Sequence, residues 1–156
     1  MEVGFAAKVF EFTAPSGEQY VYKELWPQSH FTKKFPGRTL KETASLFLRV
    51  QEIYKRYLGD YLVGADIIIA ANERGLPRIV LIQERVEGIR LDRIPEKWDG
   101  IWGELDEIDN RVLQAVENPA LRGLPINLEY FLEFLDHINF KNFIVTPGAG
   151  IKLIDF

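Results

Sequence analysis

Four stretches of the sequence carry residues that could do chemistry. Lys23 sits in Val21-Tyr22-Lys23, a lysine inside a strand-like run. Such a residue is either a surface charge or a point charge that holds a phosphate. Glu42 follows on a helix and suits two roles. It completes a capping box with Thr39, or it forms the ion pair that fixes Lys23. Glu52, deeper in the same helix, is the alternative for that second role. Residues 82–88 pass from an apolar strand into a polar segment ending at Gly88. That is an ordinary strand exit, or, between two lobes, a hinge whose backbone N–H and C=O groups read an adenine edge. Near the end of the sequence, Asn142 precedes one apolar run and Asp155 follows its partner run. Across a hairpin the amide oxygen and the carboxylate would meet, a hard-oxygen pair suited to Mg²⁺ with phosphate.

The elements that must position these residues follow from periodicity and turn chemistry. Residues 3–12 and 19–24 read as two strands joined by Ala14-Pro15-Ser16-Gly17, a turn sequence. Residues 26–38 read as a connector holding a small basic-aromatic patch, Phe31 to Phe35, with its aromatics tucked underneath. In 39–58, Leu40, Ala44, Phe47, Val50, Tyr54 and Tyr57 recur at spacings of three and four, one apolar stripe of a helix. The runs 66–71 and 78–84 flank a turn at 72–77 and predict a second hairpin, buried in places on both faces. Residues 104–116 predict a helix stopped by Asn118-Pro119, and 128–135 a short apolar helix. Residues 143–146 and 151–155 predict a third hairpin around Pro147-Gly148-Ala149-Gly150.

Composition narrows the function classes. The chain of 156 residues has no cysteine, which excludes a disulfide framework, a thiolate zinc site and a thiol nucleophile. Its two histidines, His30 and His137, are far apart in sequence, which disfavours a histidine metal cluster. With 19 basic and 23 acidic residues it is a poor general nucleic-acid binder. No apolar run approaches the ~20 residues of a membrane span, and 1–12 lack the uninterrupted apolar region of a signal peptide. The expected location is the cytoplasm, with neither membrane nor nucleic acid as partner.

Taken in order, Lys23, Glu42, 84–86, Asn142 and Asp155 resemble the protein-kinase-like superfamily, including its aminoglycoside-phosphotransferase-like branch. The resemblance runs over essentially the whole chain. It implies an α+β, protein-kinase-like fold of one domain: an antiparallel β N-lobe with one long helix over 1–84, a hinge at 85–88, and a reduced helical C-lobe over 89–156 ending at the metal-binding hairpin. It implies ATP and Mg²⁺ as cofactors. Lys23 matches the phosphate-binding lysine, Glu42 its helix partner, Glu84 and Val86 the adenine-reading hinge, and Asn142 and Asp155 the metal ligands. The glycine loop is reduced to Gly4 within Glu2-Val3-Gly4-Phe5-Ala6-Ala7-Lys8-Val9. The slot of the catalytic aspartate, five residues before the metal-binding asparagine, holds His137, with Asp136 one position earlier.

The sequence stops at Phe156, directly after the Asp-Phe pair, so no activation segment follows within it. Three roles stay open: a phosphotransferase core with an unidentified acceptor, in which Asp136 or His137 orients the hydroxyl; a pseudokinase-type binding module acting through a protein partner; or the N-terminal fragment of a longer kinase-like enzyme. Phe140, Phe143, Ile151, Leu153 and Phe156 should not all face inward, which predicts an uncovered apolar surface on the third hairpin, hidden by self-association or a protein partner. Trp98 and Trp102 fit either interface anchors or plugs of the core.

Overall fold

In the computed structural model, residues 2–3, 7–25, 30–37, 39–94, 100–131, 140–148 and 150–154 are described. The class is α+β. The chain divides into two compact units. The first comprises 1–50, 64–85 and 124–127, and the second 51–63, 86–123 and 128–156.

The first unit is built on an antiparallel sheet of β1 (Glu2–Val3), β2 (Ala7–Thr13), β3 (Gln19–Leu25), β4 (Ala65–Ala71) and β5 (Pro77–Glu84). Their spatial order is β1-β2-β3-β5-β4, which makes β3 the middle strand. The single strand expected over 3–12 is two strands, because Val3 pairs with Lys8 and the chain reverses between them. Turn residues close the two hairpins as their chemistry dictates. Gly17 takes φ +90° and Gly75 φ +73°, and the Asn72 carboxamide oxygen accepts from the N–H groups of Arg74 and Leu76.

The stretch between β3 and the long helix holds a short helix, α1 (His30–Lys34), where a connector was expected. Its aromatics are tucked under, as expected: Phe31, Phe35 and Phe47 have ring centroids 4.9–5.6 Å apart, and Phe35 is buried. Helix α2 (Leu40–Leu58) follows. It buries Thr43, Leu46, Phe47 and Val50 in the first unit and Gln51, Ile53, Tyr54 and Leu58 in the second. That arc is wider than the expected stripe, because the helix contributes to two cores.

The hairpin of β4 and β5 is asymmetric in burial. Ile79, Val80, Leu81 and Gln83 of β5 are buried, whereas Ile68 and Ile69 of β4 are each 45% exposed. Burial on both faces holds for β5 and fails for β4, since β4 is the terminal strand of its sheet.

The second unit combines a small sheet with helices. Strands β6 (Ile89–Arg90), β7 (Phe143–Val145) and β8 (Ile151–Leu153) pair in that order. Helix α3 (Ile101–Glu117) buries Ile101, Leu105, Ile108, Val112, Ala115 and Val116. Asn118 ends it and caps α4 (Pro119–Arg122), its carboxamide oxygen accepting from Ala120 N at 2.8 Å while Nδ2 donates to Tyr57 Oη. Arg111 donates to Glu107 and to the Tyr57 carbonyl and lies over the Tyr61 ring at 5.2 Å. Of the short apolar helix expected over 128–135, residues 128–131 are helical and the rest lie outside the described residues.

Of the apolar residues expected on the third hairpin, Phe140 is half-buried and Phe156 lies outside the described residues. Phe143 faces Leu153 and Val145 faces Ile151, so all four side chains share one face, and all four are buried. The N–H of Val63 donates to Leu153 O, and Lys152 Nζ donates to Asp60 O, which ties the hairpin to the turn after α2.

Gly88 permits this sheet. Its φ is +149°, and a Cβ there would lie 2.6 Å from Ile144 Cγ2 and closer still to Val145 O. Backbone of residue 88 and backbone of β7 therefore occupy space that a side chain would need. Gly88→Ala combines a strained φ with a clash against backbone, and chemical denaturation should show a loss of more than about 2 kcal/mol.

Asp109 on α3 gives the second unit an electrostatic liability. Its Oδ1 is buried with no hydrogen-bond partner among the described residues. Burial, and secondarily the charge of Asp106, raises its pKa above the ordinary aspartate value. The fold thus binds the proton more tightly than the unfolded chain does. The resulting stabilisation is complete below the ordinary aspartate pKa and is lost as pH rises through the elevated value. Asp109→Asn should flatten the fall in stability as pH rises above the ordinary aspartate pKa, read by denaturant melts across pH, and should make the variant the more stable protein at neutral pH.

Candidate functional site

Lys23 lies at the centre of the middle strand, β3, in register with Val9 on β2 and Leu81 on β5. Alternation along the strands puts Val21, Lys23 and Leu25 on one face with Val9 and Leu81. The ammonium-bearing side chain is half-buried among apolar neighbours in register, and it makes no ion pair among the described residues. A cation with no ion-pair partner among the described residues is available to an external anion.

Glu42 stands in the first turn of α2 and is exposed. The capping box is formed: Glu42 N donates to Thr39 Oγ1 at 3.1 Å, and Thr39 N donates to Glu42 Oε2 at 3.3 Å. No ion pair joins Lys23 and Glu42 among the described residues. Glu52, the alternative, pairs with Arg56 at 3.1 Å one helical turn along.

Glu84 ends β5 opposite Tyr20. Arg85 is held by three contacts: its N–H donates to Gln19 O, its guanidinium donates to Gln19 Oε1 at 2.7 Å, and the same group pairs with Glu11 at 3.3 Å. In the second unit, the N–H of Val86 has no hydrogen-bond partner among the described residues. The clamp on Arg85 was not legible, because Glu11 and Gln19 are remote in sequence and only the strand register brings them to residue 85.

Asn142 closes a 3-10 turn (Phe140–Asn142) immediately before β7. Its carbonyl accepts from Ile154 N at 2.9 Å, so the end of the hairpin brings Asn142 beside the residue that precedes Asp155. Gly4, Asp136, His137 and Asp155 lie outside the described residues, as does Trp98. Among the described residues there is no group of three or more His, Cys, Asp or Glu side chains arranged to hold a metal ion, and no helix is long and apolar enough to cross a membrane. Trp102 is 50% exposed and meets the ring of Phe140 edge-on at 6.0 Å.

The sheet face opposite to Lys23 carries an aromatic platform. Phe10 stacks on Tyr22 at 4.6 Å and Phe12 on Tyr20 at 5.4 Å, each pair directly across from one another. Ile68 and Val80 continue this face toward β4, and an open depression of about 420 Å³ lies over it. The sharing of a face by Phe10 and Phe12 is readable from their spacing; the Tyr20 and Tyr22 partners required the register.

No family model matches the chain, and no curated protein matches it by sequence.

The role of Glu42 is open to direct measurement. Thr39→Ala should cost about 1 kcal/mol, as for the loss of other helix N-caps. Glu42→Gln keeps a reciprocal side chain and should change stability by only a few tenths of a kcal/mol in the same urea titration.

Proposed function

We propose that this chain is the nucleotide- and Mg²⁺-handling core of a kinase-like phosphotransferase, with an acceptor still to be identified. The observation that carries the reading is Lys23: a half-buried cation on the middle strand of a five-stranded antiparallel sheet, with no counter-ion among the described residues. The strand order and the long helix between β3 and β4 agree with the N-lobe that the sequence resemblance implies.

In this reading Lys23 binds a phosphate as a point charge. The backbone groups of Glu84 and Val86 read the adenine edge, as the sequence resemblance implies. Asn142 and Asp155 supply hard oxygens for Mg²⁺, a donor set that fits a cation shared with phosphate. Bound there, the cation neutralises phosphate charge. Asp136 or His137 orients the acceptor hydroxyl. Phosphoryl transfer depends mainly on positioning and electrostatics, so the displaced aspartate is compatible with the chemistry.

The test is a thermal-shift titration. ATP with Mg²⁺ at a hundredfold excess over Kd should stabilise the protein by about 2.7 kcal/mol and raise Tm accordingly. Lys23→Met should abolish that shift while leaving the ligand-free Tm nearly unchanged, because it removes the charge and keeps the apolar stem. Asp155→Ala should remove the Mg²⁺ dependence. An unchanged Tm at millimolar ATP and Mg²⁺ would sink the reading; binding without transfer to any acceptor would identify a non-catalytic binding module.

A further inference from the structure

The first unit has one long free sheet edge. Among the described residues, 66–70 of β4 pair only with β5. Apart from the charge of Asp66, this edge lacks the features by which strands usually avoid association: it contains no proline, lysine or arginine, and it exposes Ile68 and Ile69 on opposite faces, each at 45%. The opposite edge is the two-residue β1 together with residues 10–13 of β2, which pair only with β3 among the described residues.

We propose that β4 pairs with β4 of a second copy of this chain, antiparallel and centred on Ile68, to form a closed dimer with a continuous ten-stranded sheet. Charge selects both the partner and the register. Asp66, Ile68 and Ala70 share a face, and Ala70 lies directly beside Arg78 of β5 on that face. Neither Asp66 nor Arg78 makes an ion pair among the described residues. Within one chain they stand four residues apart along the strand direction, about 13 Å, too far to meet.

Pairing about a two-fold axis at Ile68 sets Ile68 against its own copy and Ile67 against Ile69. It also sets Asp66 against Ala70 of the second copy. Only that alanine's methyl group then separates Asp66 from Arg78 of the second copy. The two backbones are two strand spacings apart, about 10 Å, a span that an extended arginine and an aspartate close. The symmetry makes two such pairs. Moving the axis to Ile67 sets Asp66 against Ile68, and moving it to Ile69 sets Asp66 against Asn72, so either shift loses both ion pairs. Pairing about a two-fold axis uses the β4 edge of both copies, so the association closes at two.

Sedimentation equilibrium and oxidative cross-linking of the full chain test this. Wild type should be dimeric at micromolar concentration. Ile68→Lys places two like charges on the axis and should yield monomer with an unaltered circular dichroism spectrum. Asp66→Arg and Arg78→Asp should each weaken the dimer at least about tenfold, and the two together should restore it. The chain has no cysteine, so Ile68→Cys should give a disulfide-linked dimer on mild oxidation, whereas Thr13→Cys, away from this edge, should not. A wild-type monomer at 100 µM that also fails to cross-link through Ile68→Cys would overturn the proposal. So would a dimer indifferent to Ile68→Lys, or the absence of rescue by the double charge swap. None of these outcomes depends on nucleotide.

Discussion

The small sheet of the second unit exists because residue 88 has no side chain. Its backbone lies against Val145 at a distance no Cβ tolerates, and its φ of +149° is one that other residue types adopt only with strain. That approach lets Ile89 and Arg90 pair with Val145 and Ile144. The hairpin thus has a neighbour on its outer strand, and its four apolar side chains, Phe143, Val145, Ile151 and Leu153, share one buried face. The 3-10 turn that presents Asn142 is continuous with β7, so the geometry at that end of the hairpin rests on the same contact.

In the first unit the middle strand places one cation between apolar neighbours. The middle strand of an antiparallel sheet offers apolar neighbours on either side in register, and Lys23 sits between Val9 and Leu81. Its charge has no ion-pair partner among the described residues. Glu42 is engaged with Thr39 in the cap of α2 and Glu52 with Arg56. The proposed role of Lys23 in holding a phosphate follows from that imbalance. The contacts of Arg85 with Glu11 and Gln19 tie the end of β5 to β2 and β3.

What was legible in the sequence is what short-range chemistry decides. The hairpin turns at Gly17 and at Asn72 to Gly75, the stop at Asn118-Pro119 and the capping box of Thr39 and Glu42 are all settled within four residues, and each is formed. The misread parts depend on partners remote in sequence. Three consecutive isoleucines in β4 suggest burial on both faces, but only the strand order reveals that β4 is terminal. Strand β6 has two residues, too few for any period to register. Helix α1, five residues between Pro27 and Pro36, is also too short to show a stripe, although its aromatics were expected to be tucked under. Of the candidate site, Lys23 and Asn142 stand where strand and turn patterns put them, whereas the commitments of Glu42 and Arg85 emerge only from contacts.

The strand order also dictates a sequence of events in folding. The pairings of β2 with β3 and of β4 with β5 are local, each closed by a short turn rich in glycine, proline or asparagine. The pairing of β3 with β5 is not: it joins Glu24 to Val80 across a loop that contains α1, α2 and β4. Closing that loop costs entropy before any cross-strand contact repays it. Two hairpins and a helix therefore form early, and the step that sets Lys23 between Val9 and Leu81 comes last. The middle strand is the seam of the sheet in time as well as in space, and substitutions along β3 on the side facing β5 will act on the rate of unfolding more than on the rate at which the hairpins first appear.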